Sequence, residues 1–463
     1  MSAVDMADKI KTQELTSQEI TETIIERIEK FNPTIHAYCT TTFDLAREMA
    51  KVADKKIKKG EKAGILNGIP LSIKDLVETK GIRTTFGCKI YESNIPEEDE
   101  LVVKSLKEAG AVILGKTNTP AFGHKAVTDN LIFGETLNPW LLNRTSGGSS
   151  GGAAAAVASG LGPLALGSDG GGSIRIPSCF CGVYGLKPNY GRIPRLWKKI
   201  GFYGLSNYGP IVRYVEDAAL MLDVMAGSND CDKYALSKPQ DLFLNALKKK
   251  PNKIKIAYSL DLGFVKAIDS EVEKNVLSSV HKFEKLDWNI EEAKIKLKNP
   301  YQAFASLICA GFAHDYGPYL KEWKDKLDTT FVKLIEVSLN STSLDIMRSE
   351  FQSLTLYNFF SEFFKKYDIL ITPTTAITAF AKGKMFPEKV AGKVVSPAGW
   401  MHYTFLFNMT GHPAASIPCG WSSEGLPIGM QIVGKRADEI SVLQVSKAFE
   451  EISPWQDKKP KFN

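Results

Sequence analysis

Histidine is scarce in this chain. There are six in 463 residues, and none falls in an H-E-x-x-H pattern. Only His314 has an acid beside it, Asp315, so no histidine-based metal centre is indicated. The seven cysteines are unpaired in pattern: Cys39, Cys88, Cys179, Cys181, Cys231, Cys309 and Cys419. Only Cys179 and Cys181 lie close, and one C-x-C without a second pair is poor metal geometry. They read as reduced thiols of a cytoplasmic protein. A membrane-length apolar run is also missing. The most apolar stretch, Ala153–Leu166, is broken by Ser159, Gly160, Gly162 and Pro163. Met1–Lys11 has no apolar core of the kind a secretory signal needs. The charge excess is small, 58 Lys and Arg against 52 Asp and Glu. Its lysines are dispersed in runs such as Lys55–Lys62 and Lys248–Lys250, with no basic stripe set among aromatic platforms. That argues against a nucleic-acid partner.

What is present is globular. Hydrophobic residues make up 44% and charged residues 24%, ample for a large core. Thr16-Ser17-Gln18-Glu19 has capping-box spacing, and Ile20, Ile24, Ile25, Ile28 and Phe31 then follow along one helical face, up to Asn32-Pro33. A second helix is expected at Phe43–Lys58. Strand-length apolar runs follow at Ile69–Ile73, Ala111–Leu114, Leu164–Gly167, Val183–Leu186, Ile254–Tyr258, Ile369–Thr372, Ala414–Ile417 and Ile428–Val433. Helical stretches such as Asp99–Glu108 and Ala153–Ser159 lie between several of them. This alternation predicts an α/β fold, a mixed and mostly parallel twisted sheet with helices on both faces. No repeat or linker divides the chain, so residues 1–463 are read as one domain. Residues 228–352 form a variable, mostly helical region within it.

The informative stretch is Thr145–Pro177, in which two glycine-serine clusters flank an alanine run and the apolar Leu164-Ala165-Leu166. A flexible linker has no reason to carry that apolar run. Glycines beside serines instead suggest backbone brought close to a ligand. Two short patterns compete. Gly110–Thr117 satisfies G-x-x-x-x-G-K-[ST], but its variable residues are a strand and Asn118-Thr119-Pro120 follows where a helix should begin. Gly147-Gly148-Ser149-Ser150-Gly151 satisfies G-x-S-x-G, but the strand that should precede a nucleophile elbow is replaced by Pro139, Asn143 and Arg144. A Ser-His-Asp hydrolase using Asp368 with His402 or His412 remains an alternative. With histidines so few, a lysine kept neutral by burial can serve as base for a serine.

Lys74 stands at the end of an apolar run, in Pro70-Leu71-Ser72-Ile73-Lys74-Asp75. Together "GIPLSIKD", "NRTSGGSSGG", "LGSDGGGSIRIP" and "FCGVYGLKPNYGRIPR" resemble the amidase signature family, and "DILITPT", "NMTGHPAASIP" and "GLPIGMQIVG" extend the likeness towards the C-terminus. The resemblance implies that Ser173 is the acyl-forming nucleophile. Ser149 would follow a cis peptide after Gly148 and bridge Ser173 to Lys74, the ultimate base. The backbone amides of Gly170, Gly171, Gly172 and Ser173 would form the oxyanion hole. Relatives commonly carry a larger residue at the position of Gly170, so a third consecutive glycine is expected to loosen that hole. Asp169 and Arg175 read as charges that fix the loop, Ser150 as a residue orienting Ser149, and Ser168 as a loop or cap serine.

The chemistry requires Lys74 to be neutral, because an ammonium has no lone pair with which to accept a proton. Bringing a lysine from about 10.4 to near 7 takes roughly 4–5 kcal/mol of differential solvation. The reading is therefore an amidohydrolase that forms an acyl-serine and releases ammonia or an amine, with no metal or organic cofactor. The closest rival within the family is the transfer-RNA amidotransferase, a glutamyl/aspartyl-tRNA enzyme, in its amidase component. That component carries a glycine-rich stretch followed by basic residues, which Phe331–Phe351 lacks. Pocket candidates are Phe122, Val127, Thr128, Trp400 and Tyr403, whose apolar character points to an uncharged aryl or aliphatic group. A small-molecule amide is the expected partner, and a homodimer the assembly the family implies.

Overall fold

The apolar runs form strands, and eleven strands of the described residues join in one sheet. The computed structural model describes residues 1–251 and 253–461. Position 252, in the variable region, and the last two positions of the proposed domain lie outside the described residues. In chain order the strands are β1 Tyr38–Thr41, β2 Pro70–Lys74, β3 Val112–Thr117, β4 Leu164–Asp169, β5 Tyr184–Lys187 and β6 Asn207–Val212. They continue with β7 Lys255–Tyr258, β8 Asn289–Glu292, β9 Ile369–Pro373, β10 Ala414–Trp421 and β11 Pro427–Gly434. Across the sheet the order is β1-β3-β2-β4-β6-β5-β10-β11-β9-β7-β8. The sheet is mixed. Parallel ladders form two blocks, β3-β2-β4 and β9-β7-β8. Antiparallel neighbours join these blocks, and β1 runs antiparallel along the outside of β3.

Successive strand residues face opposite sides, so each strand feeds two cores. In β9, Ile369 and Ile371 enter one hydrophobic cluster, and Leu370 between them enters the other. Likewise β11 sends Ile428, Met430 and Ile432 to the first cluster and Val433 to the second. Burial on both sides is why these strands read as continuous apolar runs rather than as alternating ones.

Three strands escape the sequence reading for identifiable reasons. In β6, Gly209 and Pro210 look like a turn, yet the strand is wholly buried between β4 and β5. β8 is a mostly exposed edge of sequence Asn-Ile-Glu-Glu. β1 is only four residues of mixed polarity. Residues 228–352 do hold helices, at Ser270–Lys282, Tyr301–Tyr316 and Thr329–Ser338, but they also supply β7 and β8. This region completes one side of the sheet rather than only layering onto it.

Helix Phe43–Lys58 has the expected bounds. The preceding helix, Ser17–Ile35, is capped by the reciprocal Thr16–Glu19 pair and runs past the expected stop at Pro33. Near a helix C-terminus a proline forfeits a single backbone bond. Here the side chain of Asn32 supports the exit, accepting from the Tyr38 amide at 2.7 Å and donating to its carbonyl at 3.1 Å.

The sheet's architecture places the site. β2 and β4 are parallel neighbours with Ile73 beside Leu166, so their carboxyl ends finish side by side. In open α/β sheets, ligands gather outside such ends. Lys74 closes β2, Ser168 and Asp169 close β4, and the glycine loop 170–174 leads into helix Arg175–Cys181.

Candidate active site

Lys74 is fully buried. Its Nζ has three neighbours, with Ser149 Oγ at 2.7 Å, Ser168 Oγ at 3.1 Å and the Ser168 carbonyl at 3.3 Å. A neutral amine has two N–H groups and one lone pair, which fits this set. The two N–H groups donate to Ser168, and the lone pair accepts from the Ser149 hydroxyl. Burial pushes the lysine well below its ordinary range. The carboxylate of Asp169 opposes that shift, and the guanidinium of Arg195 assists it.

Ser149 follows a cis peptide bond from Gly148. Its loop is held by Thr128, whose hydroxyl donates to the Gly147 carbonyl at 2.8 Å and accepts from the Gly151 amide at 3.0 Å. Thr128 therefore braces the serine loop rather than forming the pocket wall expected of it. Ser150 does not touch Ser149. Its hydroxyl donates to the Ser168 carbonyl at 3.2 Å, tying the first serine loop to the end of β4. Ser168 is thus the site residue that sequence most underrates. Its position at the end of an apolar strand, beside the strand of Lys74, is the one signal that points to it.

The Ser173 loop is anchored by a buried ion pair. Asp169 and Arg175 meet through two bonds of 2.9 Å, Nε to Oδ2 and Nη2 to Oδ1. The guanidinium also donates to the Thr404 carbonyl, Gln431 Oε1 and Asn408 Oδ1. Its fork of five N–H groups is thereby used in full. Burial alone would raise the Asp169 carboxyl. Arg175, the Asn408 amide and Lys187 outweigh it and hold the acid well below the carboxylate range. Asp169 also accepts from the Gly172 amide at 2.7 Å and the Ile174 amide at 3.1 Å. This corrects the expected oxyanion hole. The Gly172 N–H is spent on Asp169, while those of Gly170, Gly171 and Ser173 have no acceptor among the described residues. Gly172 itself sits at φ +129°, and a Cβ there would lie 2.4 Å from Thr404 Oγ1. Gly170 does not loosen the loop. The ring of Phe202 comes within 2.5 Å of the place a Cβ would take.

Removing Arg175 would leave Asp169 buried and unpaired. The Arg175→Met variant is expected to lose about 3–5 kcal/mol of stability, read as a lowered urea midpoint at unchanged slope. A midpoint equal to that of the parent would contradict the anchoring role.

Ser173 opens on a cleft with two compartments, and Gly123, Ser173 and Phe202 belong to the walls of both. One is apolar, lined by Ile176, Tyr301, Phe304, Ile308, Phe386 and Trp400. The other holds Ser149, Ser168, Arg195, Trp197, Lys199 and Phe122. Of the pocket candidates, Trp400 lies in the first and Phe122 in the second. Val127 and Tyr403 line neither. Val127 packs its backbone against Gly148, and the Tyr403 hydroxyl donates to the Leu260 carbonyl at 2.5 Å. Both are structural residues behind the cleft. The apolar wall from helix Tyr301–Tyr316 and from Met385–Phe386 escapes sequence reasoning, because a helical aromatic in sequence is indistinguishable from core.

The rival motifs land elsewhere. Gly115-Lys116 lies within β3, and the Lys116 ammonium donates to the Val77 carbonyl and, at 2.9 Å, to Thr79 Oγ1. Asp368 pairs with Lys435 at 2.8 Å, and His412 faces Thr410 at 2.9 Å. Neither His402 nor His412 lines either compartment. Among the described residues no helix is long and apolar enough to cross a membrane.

Comparison with known proteins agrees with this architecture. The amidase family model matches residues 19–443. An acylamidase of Rhodococcus erythropolis is 37% identical over 466 residues, covering 99% of this chain and 97% of the relative. The amidase-type chain of a glutamyl-tRNA(Gln) amidotransferase from Sulfurihydrogenibium is 35% identical, covering 99% and 98%. Among solved structures, a bacterial aryl acylamidase of the amidase signature family superposes with a TM-score of 0.92 at 30% identity, covering 98% of this chain and 96% of that one. These matches define an amide-hydrolysing enzyme. The chain belongs to the amidase signature family.

Proposed function

We propose that the protein hydrolyses a carboxylic amide through an acyl-Ser173 intermediate, with Ser149 as relay and Lys74 as base. The observation that carries this reading is the buried Lys74 amine 2.7 Å from Ser149 Oγ, in a cleft that both serines line. Ser173 Oγ makes no hydrogen bond to another described side chain, which leaves it free to turn towards a bound carbonyl. Catalytic hydrogen bonds often close only in the substrate complex. As the Ser173 oxygen bonds to the carbonyl carbon, its proton passes to Ser149, and the Ser149 proton passes to Lys74. The free amides of Gly170, Gly171 and Ser173 are the donors for the developing oxyanion. Ser149 then protonates the amide nitrogen as the C–N bond breaks, recovering a proton from Lys74, and the amine departs neutral. Water attacks the ester by the reverse relay and releases the acid.

The acyl group belongs in the apolar compartment, where Ile176, Phe304 and Trp400 would cover an aryl or aliphatic chain. Seven free thiols suit a cytoplasmic protein acting as one catalytic unit. The assembly we expect, a homodimer, is tested by light scattering. The amidotransferase reading is kept because relatives of that kind reach 35% identity. It requires transfer RNA and a partner protein. The purified chain is therefore tested alone on aliphatic, aryl and peptide-like amides, with amine release followed. Turnover of simple amides is the expected result, and activity appearing only with those partners would overturn the stand-alone assignment.

A further inference from the structure

The compartment beside Ser149 carries positive charge that nothing in the protein neutralises directly. The guanidinium of Arg195 is held between the rings of Trp197 and Tyr208, 4.7 Å from each centroid. Its Nη1 is buried without a hydrogen-bond partner. The Lys199 ammonium lies 4.5–5.5 Å from the ring centroids of Phe86, Tyr91, Phe122 and Tyr316. It also donates to the Tyr91 and Tyr316 hydroxyls at 3.2 and 3.3 Å. Neither cation forms an ion pair with a described carboxylate. The nearby acids are engaged elsewhere. Asp315 accepts from the Ile200 and Gly201 amides and from His314. Glu100 accepts from the Leu101 and Leu196 amides and Tyr208, and Asp232 from the Arg195 and Tyr234 amides and Trp197.

This inference rests on the proposed relay, because that relay fixes which half of the substrate goes where. Ser149 must reach the leaving nitrogen, and it lines the cationic compartment but not the apolar one. The leaving amine therefore sits among Arg195, Lys199 and their aromatic partners. We propose that this compartment is a subsite for an anionic leaving group, so that the substrates include amides whose amine half bears a carboxylate. A carboxylate offers two acceptor oxygens to the unpartnered Nη1 and to Lys199, and an attached ring would lie against Phe122 and Trp197.

Binding tests this without turnover. By calorimetry, 4-aminobenzoate is expected to bind the intact protein at least about tenfold tighter than aniline. Hydrolysis of N-butyryl-4-aminobenzoate against N-butyrylaniline should show a matching contrast in kcat/KM. Arg195→Met and, separately, Lys199→Met should each shrink both contrasts, whereas general damage would lower both rates and leave their ratio. Equal binding of the two amines, or a contrast that survives both variants, overturns the subsite. If 4-aminobenzoate binds selectively but neither amide is cut, the subsite stands and the hydrolytic assignment falls. If both amides are cut at equal kcat/KM, hydrolysis stands and the subsite falls.

Discussion

Ser173→Ala is expected to abolish amide hydrolysis, by roughly 10⁴–10⁶-fold in kcat, while leaving the melting temperature within a degree or so of the parent. The two halves of that expectation have separate grounds. The Ser173 hydroxyl has no hydrogen-bond partner among the described residues, so deleting it strands no buried group. Its backbone role, accepting from the Ser150 amide at 3.1 Å, is untouched by the substitution. The chemical loss follows because no other hydroxyl lines both compartments of the cleft. Intact mass spectrometry after mixing with a slowly deacylated substrate provides the second measurement. The parent should gain the mass of the acyl group, and the variant should not. Turnover by the variant, or an acyl adduct on it, would remove Ser173 from the mechanism.

Lys74, Ser149 and Ser173 are legible in the sequence because their neighbours are so constrained. An apolar strand ending in lysine, and glycines packed beside serines, are rare compositions with few physical explanations. The strands are legible for a related reason, since burial on both faces leaves uninterrupted apolar runs. What stays hidden is pairing between distant segments. Nothing local says that Ser168 takes two bonds from Lys74, because that depends on β2 and β4 being parallel neighbours in a particular register. Nor can the chain announce that Asp169 claims the Gly172 amide and so removes a donor from the oxyanion loop. The cationic compartment is invisible for the same reason. Arg195 is sandwiched between Trp197 and Tyr208. The second of these lies on β6, a strand that Gly209 and Pro210 disguise as a turn.

Lys74→Met should separate activity from stability more cleanly than any other change. Hydrolysis is expected to fall by about 10²–10⁴-fold, the usual worth of a positioned base. Stability is expected to rise at neutral pH, and the sign follows from linkage. Burial lowers the native pKa of Lys74 well below its ordinary value, while in the unfolded chain the lysine keeps that value, near 10.4. Between the two, the unfolded state holds a proton that the native state has given up. Stability contributed by this group therefore climbs as pH rises through that window and is poorest below it. Methionine is similar in length and carries no charge to desolvate, so the substitution removes the penalty. Against this stand Ser149 and Ser168, which lose a partner, at about 1 kcal/mol for each bond. The stabilisation should thus be largest near pH 7 and shrink towards pH 10, where the parent lysine is losing its proton in the unfolded chain as well. Melting temperatures of parent and variant across that range measure it directly. A gap that widens with pH would mean that Lys74 is charged in the folded protein, and a charged lysine is no base for Ser149.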